Sequence, residues 1–202
     1  MTDRYHHGDL PNALRAAAVD VITEKGVGSF SLREVARRAG VSHAAPAHHF
    51  GDTTGLLTSL ATEGLDKLHE VTAAAAEAAP SDPIERLTEV GRAYVSVAID
   101  YPAHCEIIFR DDLIDTDQDD YLAAGLGAYG VLERAVGAVA AEVNPDLDVD
   151  DAAKLCWAAM QGLVVLHSKM VRMDDVIGRE PGSLDDLVMR FTHLMVEGFR
   201  RC

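Results

Sequence analysis

Apolar residues recur every three or four positions along most of this chain, which is the spacing that places side chains on one face of an α-helix. No segment shows the strict alternation of apolar and polar residues that is typical of a half-buried strand. Together with capping residues and proline breaks, the pattern predicts about nine helices, at residues 10–25, 32–39, 43–50, 53–77, 83–101, 103–109, 121–143, 150–173 and 183–200. The expected fold is therefore all-α, with an N-terminal three-helix head followed by a larger helical bundle.

The most specific local pattern lies in residues 31–50, SLREVARRAGVSHAAPAHHF. Ser31 followed by Glu34 is a capping box that starts a short helix. The apolar stripe of this helix consists of Leu32, Val35, Ala36 and Ala39. Gly40 ends the helix, because a left-handed turn costs glycine little, and Ser42 is expected to cap a second helix. Two short helices joined by a glycine-containing turn form a helix-turn-helix, whose second helix can lie in the major groove of DNA.

The charge distribution agrees with DNA contact at one end of the chain only. The formal net charge is -15 at pH 7. Residues 1–50 contain six Lys and Arg against five Asp and Glu, and five of the nine histidines, whereas residues 51–202 contain 12 basic and 28 acidic residues. A nearly neutral head on an acidic body can approach DNA with one end while the rest is repelled. The head is nevertheless less basic than is usual for a strong DNA-binding domain.

Length and cysteine content restrict the class of protein further. A chain of 202 residues suits one large or two small domains. Its three cysteines, Cys105, Cys156 and Cys202, match neither a disulfide framework nor a zinc motif. The N-terminus has no apolar signal-peptide core, and no apolar run approaches the ~20 residues of a membrane span. We therefore expect a soluble, cytoplasmic protein that does not enter a membrane.

Three motifs resemble the TetR/AcrR family of one-component transcriptional regulators: YHHGDL, SLREVARRAGVS, and HHFGD followed by a leucine pair. They lie within residues 5–68, and over the rest of the chain only the number and length of the helices match. The segment WAAMQG, residues 157–162, is similar to a weak signature of one subgroup, with Gln161 in place of a histidine. The resemblance implies a homodimer with a three-helix DNA-binding head and an all-α body that binds a small inducer. It also implies that the last two long helices of each subunit form a four-helix dimer interface.

Within this resemblance, the start of the second helix of the helix-turn-helix is expected to read base edges, because a recognition helix inserts that end into the major groove. Small residues there let the backbone approach closely, and His43 and His48 are the expected polar readers. Ser31 and Arg33 are expected at phosphates, and Arg4 at the backbone or in a groove. The candidate DNA contacts are Arg4, Ser31, Arg33, Ser42, His43, Ala44, Ala47, His48 and Thr53.

Two positions depart from the family pattern. The family often has a tyrosine where this chain has Ala47 and a lysine where it has Thr53, and both family residues usually touch phosphates. Losing two such contacts weakens binding and flattens its salt dependence by roughly 0.9 log-log unit per contact. The alternative is that histidines serve there, with an affinity that rises as the pH falls and the imidazoles become charged.

Neither a metal site nor a catalytic site is expected. The histidines of the head are His6, His7, His43, His48 and His49. Adjacent histidines on a helix point about 100° apart and lack the i, i+4 spacing of a helical zinc pair, and His49 is expected to help pack the head beside Phe50. The chain has neither a GxSxG elbow nor a Gly-rich phosphate loop, so neither an enzyme nor a cofactor is predicted.

Candidate effector contacts lie on body helices that are expected to surround a core, where ligand sites of helical bundles often occur. They are Tyr94, His104, Phe109, Tyr129, Trp157, Met160 and His167. For each of them the alternative is an ordinary core residue. Trp157 is the strongest candidate, because a lone buried indole needs a partner for its N–H. Cys105 and Cys156 could sense oxidants, although a buried cysteine is more often an inert small hydrophobe.

The sequence thus predicts a DNA-binding domain over residues 1–52 and a ligand-binding and dimerisation domain over residues 53–202. The expected function is a repressor that a small-molecule effector releases from a palindromic operator. The main alternative is a helical small-molecule-binding dimer with little specific affinity for DNA. Candidate dimer contacts are Leu155, Leu163, Val164, Leu187, Phe191, Leu194 and Met195.

Overall fold

The computed structural model describes residues 9–178, 180 and 182–201, apart from the side chain of Ser168. Within these residues there is no strand, and the all-α fold predicted from the sequence is confirmed. A 3₁₀ turn covers Val27–Ser29, and the helices are α1 (Leu10–Lys25), α2 (Leu32–Ala39), α3 (Ala45–Phe50), α4 (Thr53–Ala78), α5 (Pro83–Asp100), α6 (Pro102–Ile108), α7 (Asp119–Val143), α8 (Val149–Ile177) and α9 (Leu184–Phe199).

Helix α2 begins and ends where its local signals predict. The Ser31 hydroxyl accepts a hydrogen bond from the Glu34 backbone N–H at 3.3 Å, which satisfies one of the free donors of the first turn. Gly40 adopts the left-handed conformation, with φ 69 and ψ 29, and its N–H returns to the carbonyls of Ala36 and Arg37. Both ends of α2 are therefore set by residues adjacent to it in sequence.

Helix α3 begins two residues later than predicted. The Ser42 carbonyl accepts from the Ala45 N–H at 3.0 Å in a turn, and the N-cap is Ala44, which makes no side-chain cap. The expectation that Ser42 caps this helix was wrong. A helix capped by Ser42 would need an N–H from residue 46, whereas a start at Ala45 places Pro46 in the first turn, where no N–H is required.

The chain divides into two compact units. One contains Met1–Leu65 and Tyr101–Gly125, and the other contains Asp66–Asp100 and Leu126–Cys202. The predicted functional boundary after residue 52 remains a prediction. The chain passes between the compact units at other places, which lie within α4, between α5 and α6, and within α7.

Helix α6 belongs to the unit that carries the helix-turn-helix. Ala103 and Ile107 of α6 are buried in the same core as the first four helices. The principal members of this core are Leu14, Val21, Ile22, Val35, Leu56, Leu57 and Leu60. At the α4–α6 contact, a Cβ added to Gly64 would lie 2.9 Å from the Cβ of His104, so a hydrogen at residue 64 lets the two helices approach.

The acidic segment after α6, residues 111–120, is attached to the same core. Its aspartates are exposed, as expected for a solvated loop. Ile114, however, is only 7% exposed, and the Asp115 backbone N–H donates to the Thr58 hydroxyl of α4 at 2.8 Å. The segment is thus an anchored part of the unit rather than a free loop.

The second unit is built around α5, which packs against α8 and α9. Val95 of α5, Met160 of α8 and Val188 of α9 form one buried group. A second group, which adds α7, includes Leu87, Val90, Val131, Val136, Val139, Ala153, Cys156, Val196 and Phe199. Within the described residues, α7 alone is long and apolar enough to cross a membrane by length and composition. One such helix is weak evidence for a membrane span. Val131, Val136 and Val139 of α7 are buried in the second group of core residues.

Candidate nucleic-acid interface and effector cluster

The helix-turn-helix presents its predicted DNA-contacting residues on the surface. Eight of the nine candidates are exposed: Ser31, Arg33, Ser42, His43, Ala44, Ala47, His48 and Thr53. The ninth, Arg4, lies outside the described residues. Between the exposed positions, Val35, Ala36 and Pro46 are buried and hold α2 and α3 on the core. The pattern leaves one polar face of the α2–turn–α3 segment open to a partner.

Most basic side chains of the head are engaged in ion pairs. Glu34 accepts from Lys25 at 2.7 Å and from Arg37 at 2.8 Å, and these two cations hold the pKa of Glu34 well below its usual range. Arg38 pairs with the carboxylate of Glu24, which lowers the pKa of that carboxyl. These surface pairs contribute little to stability, but they orient the cations toward carboxylates of α1 and α2.

Arg15 is engaged as well, since its Nε lies 3.0 Å from a carboxylate oxygen of Glu63. Arg33 differs from these cations, because it is exposed and forms no ion pair with any residue that the structure describes. It is therefore the fixed charge of the described head that is most available to a phosphate.

Helix α3 carries two imidazoles and neither lysine nor arginine. No Lys or Arg occurs between Ala39 and Asp66. The His48 and His49 rings lie 5.4 Å apart in an edge-on arrangement. The His49 side chain is exposed, and its ring lies 6.5 Å from that of Phe50, beside which it was expected to help pack the head. All three histidines of this region, His43 included, are exposed to solvent.

The start of α4 is held close to the end of α3. The Asp52 carboxylate accepts from the Gly55 N–H at 2.9 Å and caps the helix. A Cβ at Gly55 would overlap the carbonyl oxygen of Phe50. Sequence reasoning missed Gly55; the signal available was a glycine inside the predicted first turn of a helix, where it is unfavourable without a packing reason.

In the other unit, three candidate effector residues come together. The Trp157 indole N–H donates to the Tyr94 hydroxyl at 3.2 Å, and Tyr94 donates to the side-chain oxygen of Gln161 at 2.7 Å. The Tyr129 ring meets the indole edge-on, with centroids 6.2 Å apart. Gln161 is not one of the predicted effector contacts, although it lies in the WAAMQG segment that resembles the subgroup signature. We refer to Tyr94, Tyr129, Trp157 and Gln161 as the aromatic cluster.

Polar neighbours fix the aromatic cluster on one side. The Tyr129 hydroxyl donates to the Asp150 carboxylate at 2.9 Å, and Asp150 also pairs with Lys154. Loss of hydration, together with the Asp150 hydrogen bond and charge, raises the pKa of Tyr129 to about 12. Trp157 is 41% exposed, so the expectation of a buried indole was wrong, while the expected partner for its N–H is present. Its neighbours Tyr94 on α5 and Tyr129 on α7 therefore cover the Trp157 side chain only partly.

The remaining effector candidates make none of the aromatic cluster's hydrogen bonds or ring contacts described above. Met160 is buried in the α5–α8–α9 core against which Tyr94 packs, and His167 is half-buried further along α8. His104 and Phe109 belong to the unit that carries the helix-turn-helix. Phe109 directly follows α6 and is 42% exposed, so it is not the ordinary core residue that was the alternative to an effector contact. The predicted set therefore does not form a single site within either unit.

His104 is the most unusual of these residues. Its side chain is 8% exposed, and its Nδ1 atom is buried without a hydrogen-bond partner among the described residues. Burial lowers the pKa of His104, and the charge of Glu63 only partly opposes that shift. An imidazole in this position is neutral at pH 7.

The two described cysteines have unreactive surroundings. Burial raises the pKa of the Cys105 and Cys156 thiols to about 11. Because the thiolate is the reactive form, these residues are poorly suited to sensing oxidants; Cys202 lies outside the described residues. Within the described part of the chain, no three His, Cys, Asp or Glu side chains are grouped so as to hold a metal ion.

Comparison with known proteins identifies the family. Residues 14–60 match the family of bacterial regulatory proteins of the tetR family, and residues 87–188 match the tetracyclin repressor-like C-terminal domain. The chain belongs to the TetR family of transcriptional regulators. The α2–turn–α3 segment lies inside the first match and the aromatic cluster inside the second. As a TetR-family member, the protein is a DNA-binding regulator with a helical ligand-binding domain.

Solved structures share this fold. A protein of unknown function from Rhodococcus sp. RHA1 is 29% identical, covers 98% of both chains and has a TM-score of 0.81. The fatty acid degradation regulator FadR from Bacillus halodurans is 18% identical over 95% of this chain and 97% of its own, with a TM-score of 0.71. The TetR-family regulator PfmR from Thermus thermophilus is 19% identical over 92% and 97%, with a TM-score of 0.67. No curated protein matches the chain.

Proposed function

We propose that this TetR-family protein is a repressor that binds a near-palindromic operator as a homodimer and is released by a small molecule. The observation that carries the DNA-binding part is the exposure of every described candidate contact on α2, on the turn, on α3 and at the start of α4. In a homodimer, two such heads would lie in successive major grooves about 34–36 Å apart. The site of action is then the cytoplasm, where bacterial DNA is accessible.

On DNA, Ser31 and Arg33 at the start of α2 would contact phosphates, together with Arg4 of the N-terminal arm. Residues before and within the first turn of α3 would face base edges: Ser42, His43, Ala44, Ala47 and His48. The alanines allow close approach of the backbone and contact with thymine methyl groups. Thr53, at the start of α4, offers a hydroxyl to a phosphate but no charge. Catalysis has no part in this proposal.

The dimer would form through the outer faces of α8 and α9. Leu155 of α8 is 60% exposed and Leu194 of α9 is 72% exposed, and Val165 and Leu166 extend the apolar surface along α8. Large apolar side chains exposed on both of these helices favour an interaction surface there. Leu187 is half-buried on α9. The other candidates also pack on the core of their own chain and would contribute less: Leu163, Val164, Phe191 and Met195.

The effector would bind at the aromatic cluster, where Trp157 and Tyr94 already contact Gln161 through a hydrogen-bond chain. Ligand sites in proteins combine apolar walls with a few polar groups that fix orientation, and this cluster has both. For release from DNA, the effector must bind one conformation of the dimer more tightly than the other.

A labelled fragment of DNA from upstream of the gene tests the proposal by a mobility-shift assay with excess nonspecific competitor. Saturable binding that resists the competitor is expected. The double variant R33A/H43A should weaken this binding at least tenfold, because it removes a phosphate contact and a base contact. The matched control is R134A/H193A, which removes an exposed arginine and an exposed histidine from α7 and α9. Undiminished binding by R33A/H43A would refute the assignment of these residues.

A second candidate function is a ligand-binding dimer with little specific affinity for DNA. The absence of Lys and Arg between Ala39 and Asp66 favours it, because most DNA-binding affinity comes from neutralised phosphates. Weak binding that is equal for upstream and unrelated DNA would establish this function instead. A reporter gene fused to the upstream region separates a repressor, whose deletion raises expression, from an activator, whose deletion lowers it.

A further inference from the structure

We infer that His43, His48 and His49 are the cations with which α3 contacts DNA, and that DNA binding therefore takes up protons from solvent. This inference rests on the proposed DNA-binding function and adds His49 to the interface. All three side chains are exposed, and α3 together with the turn before it has no other residue that can carry a positive charge. The charges of the neighbouring helices decide whether another cation can take the place of these imidazoles.

Helix α1, which packs against α3, contributes no unbalanced cation. Arg15 pairs with Glu63, and Lys25 pairs with Glu34. The α1 carboxylates of Asp20 and Glu24 both face Arg38. Asp9, just before α1, accepts from the Asn12 side chain at 2.7 Å and adds a negative charge. The positive charges of α1 are thus neutralised by carboxylates of the same unit.

Helix α2 and the start of α4 change this balance little. Glu34 is shared by Lys25 and Arg37, which leaves one positive charge in excess. Arg38 faces the two carboxylates of Asp20 and Glu24, which leaves one negative charge in excess. The two excesses cancel. Among the described residues of the head, the charges that remain are Arg33 at the beginning of α2, opposed by Asp9 before α1 and by Asp52 at the beginning of α4.

The recognition surface is therefore close to neutral when its imidazoles are neutral, and it gains up to three positive charges when they are protonated. Histidine is the side chain that makes this change between pH 8 and pH 5. DNA phosphates favour the protonated form, since an opposite charge within a few ångströms stabilises it. The His48 and His49 rings are 5.4 Å apart, so two imidazolium ions there would repel one another until a phosphate lies beside them. Binding to DNA and proton uptake are coupled for that reason.

The coupling has two measurable consequences. Affinity should rise as the pH falls, by up to about tenfold per pH unit for each proton taken up on binding. The salt dependence should also steepen at low pH, by about 0.9 log-log unit for each histidine that then neutralises a phosphate. A head that relied on arginine and lysine would show neither change over this range.

The test is fluorescence anisotropy with two labelled duplexes, one from the upstream region of the gene and one of random sequence. Dissociation constants are measured at pH 8.0, 7.0 and 6.0 and at two NaCl concentrations. The wild type should bind both duplexes at least tenfold more tightly at pH 6.0 than at pH 8.0. The variant H43N/H48N/H49N should lose this difference, and H43R/H48R/H49R should bind tightly at all three pH values. The control variant H193N alters an exposed histidine of α9 and should behave like the wild type.

The outcomes separate this inference from the proposed function. Specific binding to the upstream duplex without pH dependence would overturn the inference and leave the repressor proposal standing. Persistence of the pH dependence in H43N/H48N/H49N would overturn the inference as well. A pH dependence that these substitutions abolish, with equal affinity for both duplexes, would support the inference and overturn the repressor proposal. Failure to bind either duplex at any pH would overturn both.

Discussion

Gly55 lies directly against the backbone of Phe50, so that a methyl group at residue 55 would overlap the Phe50 carbonyl oxygen. The variant G55A must therefore push α4 away from the end of α3. Overpacking of this kind costs about 1–3 kcal/mol of stability, and here it also shifts α3, the helix proposed to face DNA, relative to α4. We expect G55A to lower the unfolding temperature and weaken DNA binding together.

The control for this variant is G28A, because a Cβ at Gly28 meets no atom within 4 Å. Thermal unfolding followed by circular dichroism and DNA binding by anisotropy are the two measurements. A G55A protein with wild-type stability and affinity would show that the close approach of Gly55 and Phe50 is unimportant.

Acid should destabilise the protein through His104. Burial lowers the pKa of this imidazole in the folded state, so the unfolded chain takes up the proton first as the pH falls below about 6.5. The stabilisation present above that pH is then lost as the pH falls toward the folded-state value. Urea unfolding between pH 7.5 and pH 5 should show a smaller decline in stability for H104L than for the wild type.

The control for H104L is H193N, whose histidine is exposed on α9. H193N should retain the wild-type decline. An equal pH dependence in H104L and the wild type would mean that other groups cause the loss of stability in acid.

Removing the Tyr94 hydroxyl should be detectable at Trp157. Y94F deletes the acceptor of the indole N–H and the donor to Gln161. Loss of a hydrogen bond of this kind costs about 1 kcal/mol, and the indole should become more mobile. The chain has one tryptophan, so a shift in its emission reports this site alone. The control Y121F alters a tyrosine of the other compact unit and should leave the emission unchanged; an unchanged spectrum in Y94F would argue against the hydrogen bond.

Charged residues on the outer faces of α8 and α9 should dissociate the dimer. In the variant L155E/L194E, two strongly exposed leucines become carboxylates that would be buried at the interface, at a cost of several kcal/mol. Light scattering after size-exclusion chromatography should then show a monomer. L126E is the matched control, because Leu126 of α7 is 73% exposed and lies outside the proposed interface. A dimeric L155E/L194E, or a monomeric wild type, would contradict the assigned surface.

Features set by neighbours in sequence could be predicted, and α2 is the clearest case. Its cap at Ser31 and its stop at Gly40 depend on residues within one turn of the helix ends. The start of α3 was placed wrongly because Ser42 resembles a cap, whereas the position of Pro46 decides where the first turn can lie. Both residues were visible in the sequence, but the prediction used Ser42 to place the start of the helix, whereas Pro46 determines it.

Features that depend on packing between distant segments could not be predicted. The pairing of Arg38 with Glu24 requires α1 and α2 to be placed against each other first. The exposure of Trp157 depends on how much of α8 its neighbours on α5 and α7 cover. Periodicity identifies an apolar residue on a helix, but it does not say how completely the opposite helix covers it.

The hydrogen bond from Asp115 to Thr58 has a consequence for protein engineering. An exchange of DNA-reading heads between related regulators would naturally be planned as a cut near the start of the fourth helix. In this protein such a cut would separate Leu14 and Ile22 from Leu57, Ile107 and Ile114, although all five share one core. A transplantable specificity module would have to carry the first part of α4 and residues 101–118 with it, although residues 101–118 follow the three-helix head by two helices in sequence.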